Sequence, residues 1–111
     1  MQVSVSRDAG TGVLTVAVSG DLDLSSEPAV MGAVDRALAG DGVSSIHVDV
    51  SAVEFLDSSG VSLLLRGRRA ADKRGLAYRV TGAQGIARQV LELTGVWSHL
   101  CDPDDSRSPS L

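Results

Sequence analysis

Short stretches in which apolar and polar residues alternate take turns in this chain with longer stretches whose apolar residues recur at helical spacing. A period of two marks a half-buried strand, and a period near 3.6 marks a helix packed by one face. "QVSVSRD" (2–8) sets Val3 and Val5 on one side, and "VLTVAVS" (13–19) does the same with Leu14, Val16 and Val18. The intervening "AGTG" supplies a turn, so the pair is predicted as an antiparallel hairpin. "SIHVDV" (45–50) puts Ile46, Val48 and Val50 on one face and His47 and Asp49 on the other, and "LAYRVT" (76–81) makes a fourth strand. Three helices are predicted between and after these strands. The first starts at a Ser25 or Ser26 cap, with Pro28 in its first turn, and buries Val30, Met31, Val34, Ala37 and Leu38. The second runs from about Ser58 to Arg74 and stops at Gly75. The third covers 83–95, with Ile86, Ala87, Val90 and Leu91 as its stripe.

Strand–helix–strand–helix–strand order requires parallel pairing with right-handed crossovers. Strands covered on both faces read as continuous apolar runs, whereas these alternate. The expected fold is therefore α/β: a two-layer domain with a mixed sheet, an N-terminal antiparallel hairpin followed by parallel βαβ units, and helices on one face only. At 111 residues the chain can bury one core, and we expect one domain over 1–101 with a polar, disordered tail over 102–111. That core must be aliphatic, because Phe55, Tyr78 and Trp97 are the only aromatic residues.

The same shortage removes stacking platforms for bases, and a net charge of -4 opposes binding to a phosphate backbone. Arg66, Arg68, Arg69, Lys73 and Arg74 form a basic cluster that one solvated helix face can carry. Cys101 is the single cysteine, which suits a reducing compartment. No apolar run approaches the roughly 20 residues of a membrane span, and no signal-peptide pattern opens the chain. A cytoplasmic protein is expected, with no membrane or nucleic-acid partner, no cofactor and no metal.

One stretch asks for a chemical explanation. "LDSSG" (56–60) joins the third strand to the second helix and carries two adjacent hydroxyls behind an acid. Asp, Ser and Gly are ordinary cap and loop residues, so a helix cap alone accounts for the composition. A serine nucleophile would need a base within hydrogen-bond reach. His47 lies roughly 30 Å of extended chain before Ser58 and points away from the helices, and His99 belongs to the tail. No G-x-S-x-G turn is present either, so no catalytic residues are assigned. Anion binding at the helix N-terminus has favourable dipole geometry but lacks a glycine-rich run and a P-loop lysine. A covalently added anion is the third reading, since a phosphoserine in a first turn meets a favourable dipole.

Helical projection at about 100° per residue gathers Gly60, Leu63, Leu64, Gly67, Ala70 and Ala71 towards the sheet. Ser58 falls nearly opposite, close to Ser62 and Leu65, while Ser59 falls nearer the buried side. Val61 lies further round, either exposed as part of an apolar docking pair or packed sideways on a neighbouring helix.

"SGDLDLSSEPAV", "IHVDVSAVEFLDSSGVSLLL" and "GIARQVLELTGV" resemble segments of the anti-sigma factor antagonists, the bacterial STAS-domain proteins, over residues 2 to about 100. The resemblance implies a binding switch with no catalysis. Members bind an anti-sigma factor, often a serine kinase, and so release a sigma factor; phosphorylation of the serine after Asp breaks the complex, and a serine phosphatase restores it. Carried onto this chain, the phosphoacceptor is Ser58, with Asp57 as a cap or orienting group. Asp21 and Asp23 of "GDLD" are the partner contacts at the end of the second strand. The expected partner-binding site adds Ser59, Val61, Ser62 and Leu65 to these. Two departures stand out: residue 21 is Asp where Glu is common, and the short polar segment after Trp97 implies a reduced or missing final helix. STAS-like domains also serve as accessory subunits of lipid transporters and as pieces of stress-sensing scaffolds, where the serine need not be modified.

Overall fold

The computed structural model describes residues 2–8, 10–39 and 42–95. Four strands form one mixed sheet in the order β1, β2, β3, β4. β1 (Gln2–Asp8) runs antiparallel to β2 (Val13–Leu22), and β3 (Ser45–Leu56) and β4 (Ala77–Thr81) continue the sheet in parallel. α1 (Glu27–Ala39) links β2 to β3, α2 (Ser58–Lys73) links β3 to β4, and α3 (Gly85–Leu93) follows β4. Both parallel crossovers step the same way across the sheet, so right-handed connections put α1 and α2 on one face.

That face is dry. Leu14, Val16 and Val18 of β2, Ile46, Val48 and Val50 of β3 and Val80 of β4 are all buried. Leu14 stands opposite Ile46, and Val48 opposite both Val16 and Val80. Val30, Ala33, Val34 and Leu38 of α1 and Leu63, Leu64 and Ala71 of α2 close the cluster from the other layer. On the reverse of the sheet Thr15, Ala17, His47, Asp49 and Arg79 are half-buried. The alternation thus reports a sheet with one apolar face, as the two-layer fold requires. α3 packs against β3 and buries Ala87 and Leu91, but Ile86 is 44% exposed, so its apolar stripe is narrower than the sequence predicts. Trp97, His99, Cys101 and the 102–111 tail lie outside the described residues.

β3 is longer than its alternation indicates. It continues past Val50 to Leu56, and its 12 residues span 10 of β2. The register slips by one residue between Ala17 and Ser19 and again between Gly20 and Asp21. Each slip leaves two successive β3 residues facing outwards: Ser51 with Ala52, then Glu54 with Phe55. The inward series therefore runs Ile46, Val48, Val50, Val53, Leu56, and its spacing changes from two to three. Gly20 sits at the second slip with φ 89, a conformation that glycine adopts without penalty.

Candidate functional site

Parallel pairing brings the ends of β2 and β3 to the same edge of the sheet, with Asp21 opposite Phe55 and Leu22 opposite Leu56. One chain leaves this edge into a single 3₁₀ turn, Leu24–Ser26, and the other into α2. The 3₁₀ turn is capped by Asp23 and not by the serines that the sequence points to. The Asp23 carboxylate accepts the Ser25 amide at 3.0 Å and the Ser25 hydroxyl at 2.6 Å. The buried Ser26 hydroxyl accepts the Asp23 amide at 3.2 Å and donates to the Asp21 carbonyl at 2.8 Å. α1 then begins at Glu27 directly from this turn. The Ser25 hydroxyl, ahead of the neighbouring amides, holds the Asp23 carboxyl below its ordinary value.

Asp57 caps α2. Its backbone is extended, and its carboxylate accepts the Gly60 amide at 3.0 Å, while the Asp57 carbonyl accepts the Val61 amide at 3.0 Å. Ser58 becomes the first residue of α2 and is exposed; Ser59 is half-buried, and Gly60 is buried. The first turn rests on the end of β2. A Cβ added at Gly60 would stand 2.3 Å from the Leu22 carbonyl oxygen and 2.5 Å from Leu56 Cδ1. Only a residue without a side chain lets α2 come this close, and that closeness sets Ser58 beside the exit of β2.

The helix projection places most of α2 as observed, with Gly60, Leu63, Leu64, Gly67 and Ala71 buried and Ser58 and Ser62 exposed. Val61 is the correction. It is only 5% exposed and belongs to the core cluster, so Val61 is not part of an exposed apolar pair. Leu65 is half-buried against the core. Two apolar side chains that the sequence pattern does not single out stand exposed at this edge, Leu24 at 68% and Phe55 at 45%. The available signal is the spacing of three from Val53 to Leu56, which breaks the alternation at the second slip and turns Phe55 outwards.

Acids gather here. Asp21 and Glu54 are exposed, and Asp23 and Asp57 are half-buried. Much of the basic cluster is engaged in the fold. Arg66 pairs with Glu27 and ties α2 to α1, Arg68 reaches Asp72 at 3.7 Å, and the Arg74 guanidinium donates to the Leu38 carbonyl at 3.0 Å. His47 stands opposite Arg79 on the reverse of the sheet, away from the helix layer that carries Ser58. Among the described residues no group of His, Cys, Asp or Glu is arranged to hold a metal ion, and no helix is long and apolar enough to cross a membrane.

Known proteins share this architecture. The family described as "Mlab, STAS domain" matches residues 5–100. An anti-sigma F factor antagonist from Paenibacillus polymyxa is 24% identical over 97 residues, covering 87% of this chain and 83% of the relative. The crystal structure of an anti-sigma factor antagonist from Mycobacterium paratuberculosis superposes with a TM-score of 0.73 at 29% identity, over 97% of this chain and 93% of that one. The anti-sigma factor antagonist SpoIIAA in its unphosphorylated form gives 0.66 at 18% identity, over 99% and 100% of the two chains. The phosphorylated form of the same Bacillus protein gives 0.66 at 16%, over the same shares. The chain belongs to the STAS domain family.

Proposed function

We propose that this chain is an anti-sigma factor antagonist acting by reversible binding. With Ser58 unmodified it engages an anti-sigma factor serine kinase and releases a sigma factor. The kinase transfers the γ-phosphoryl group of ATP to the Ser58 oxygen, ADP leaves, and the contact is lost until a serine phosphatase hydrolyses the ester. The observation that carries this reading is the exposed Ser58 at the first position of α2, behind its Asp57 cap. A phosphate there meets the positive end of the helix and leaves the core alone. Towards a docked partner it adds nearly two negative charges and bulk beside Asp21 and Asp23. Asp21, Asp23, Asp57, Ser59, Ser62 and Leu65 supply the surrounding contact surface. The chain itself performs no chemistry in this scheme and works in the cytoplasm. The names of the Paenibacillus and Mycobacterium relatives support it.

Incubation with the cognate kinase and ATP should add about 80 Da at Ser58, with none on Ser58→Ala. Ser58→Ala should still bind the kinase, and Ser58→Glu should not. Absence of transfer, or wild-type binding by Ser58→Glu, overturns the switch. One observation favours a second reading: a sulfate transporter family protein from Wolinella succinogenes shares the fold, with a TM-score of 0.68 at 18% identity over 80% of this chain and 71% of that one. The domain would then be an accessory subunit of a transporter, and an ATPase subunit would co-purify in place of a small kinase.

A further inference from the structure

Phe55 sits where the second register slip has its largest effect. Val53 and Leu56 face the core, whereas unbroken alternation from Val53 would carry Phe55 inside and turn Leu56 out. The extra residue Glu54 turns Phe55 outwards, opposite Asp21, where it is 45% exposed. Leu24, in the 3₁₀ turn that leaves the neighbouring strand, is 68% exposed. The other exposed large hydrophobic residues among those described are Val5 on β1 and Ile86 and Leu93 on α3, so only these two flank the edge that carries Ser58. Asp21 pairs opposite Phe55, Asp23 and Glu54 adjoin Leu24 and Phe55 along the chain, Asp57 caps α2, and Arg66, two turns along α2, is neutralised by Glu27. An apolar centre with an acidic rim is complementary to an apolar socket with a basic rim.

We infer that Leu24 and Phe55 are the apolar anchors of the docking surface, and that the partner presents an apolar socket edged by Lys or Arg. This rests on the kinase-binding reading above and adds two residues and the chemistry of the opposing face. It also gives the switch a physical basis: a phosphate adds bulk at the contact and meets the Asp side chains on its own surface.

The test is calorimetric titration of the full chain with each purified anti-sigma factor serine kinase of the same cell, at low and high salt. Phe55→Ala should weaken binding by about 30-fold and Leu24→Ala by about 10-fold, as truncated interface anchors do. Both variants should keep the wild-type thermal midpoint, because neither side chain belongs to the core. High salt should weaken wild type and both variants by the same factor, through the rim. Wild-type affinity in Phe55→Ala and Leu24→Ala, with binding lost in Ser58→Asp, overturns the anchors and leaves the switch standing. Binding indifferent to salt overturns the basic rim. Failure of every kinase to bind the wild-type chain overturns the reading and this inference together.

Discussion

Replacing Gly60 with alanine tests the contact that seats α2 on the sheet. In an open helix the change should help, since alanine exceeds glycine in helix propensity by about 1 kcal/mol. Here the new methyl would lie 2.3 Å from the Leu22 carbonyl oxygen and 2.5 Å from Leu56 Cδ1. The oxygen belongs to the backbone of β2 and cannot rotate aside, and Leu56 is itself buried, so α2 must lift away from the edge. Overpacking of this kind costs typically 1–3 kcal/mol, and a backbone clash belongs at about 3 kcal/mol. The balance is a loss of about 2 kcal/mol, equivalent to roughly 10 °C in the thermal midpoint of a domain this size. Gly32→Ala in α1 is the matched control, because its nearest atom is the flexible Arg36 guanidinium nitrogen at 3.6 Å. That variant should gain about 0.5–1 kcal/mol. Urea midpoints for the two should move in opposite directions. A Gly60→Ala midpoint at or above wild type would refute the close approach and, with it, the placement of Ser58.

Asp57→Ala removes the acceptor of the Gly60 amide and should lower stability by about 1 kcal/mol in urea denaturation, with Asp57→Asn retaining most of it. The Asp23 carboxyl titrates below its ordinary value, so its contribution to stability is complete above pH 3.8 and is lost as pH falls through the lower folded value. Acid unfolding followed by circular dichroism should therefore show a weaker dependence in Asp23→Asn than in wild type below that pH. Burial pushes the Tyr78 phenol upwards, so the unfolded chain ionises first and stability should decline as pH rises past about 10. Ultraviolet titration of the native protein should show phenolate only when the fold opens, and Tyr78→Phe should remove the alkaline decline.

Much of this architecture is legible in the chain because local and tertiary demands agree. Leu14, Val16 and Val18 alternate, and the same three fill the dry face of β2. α2 is read correctly since its apolar arc, with Gly60 and Gly67, is what the sheet covers. Gly67 faces Tyr78, whose hydroxyl would stand 2.6 Å from an added Cβ. Misreadings occur where tertiary geometry overrides a local period. β3 stops being periodic at Val50, although its backbone pairing runs on to Leu56. α1 starts at Glu27, where a Ser26 cap would put it, but the capping group differs: Asp23 caps the preceding turn and Ser26 turns inwards to bond the Asp21 carbonyl. Val61 cannot be placed from its own helix, since the neighbour that covers it comes from elsewhere in the chain. The hydroxyl of Ser58 needs no such partner, and its outward direction follows from helix geometry alone.

The two slips in β3 also determine where this gene can lose a codon. In a regular strand, deleting one residue reverses the facing of everything beyond it and throws the hydrophobic set into water. At Glu54 the outcome is the opposite. Gly20 already pairs with Val53, and Asp21 with Phe55, so excising Glu54 joins two correctly matched halves and leaves Leu56 opposite Leu22. A shortened chain lacking Glu54 should still fold, whereas one lacking Val48 should not. Insertions and deletions among natural variants of this strand should accumulate at those two points and be purged between them.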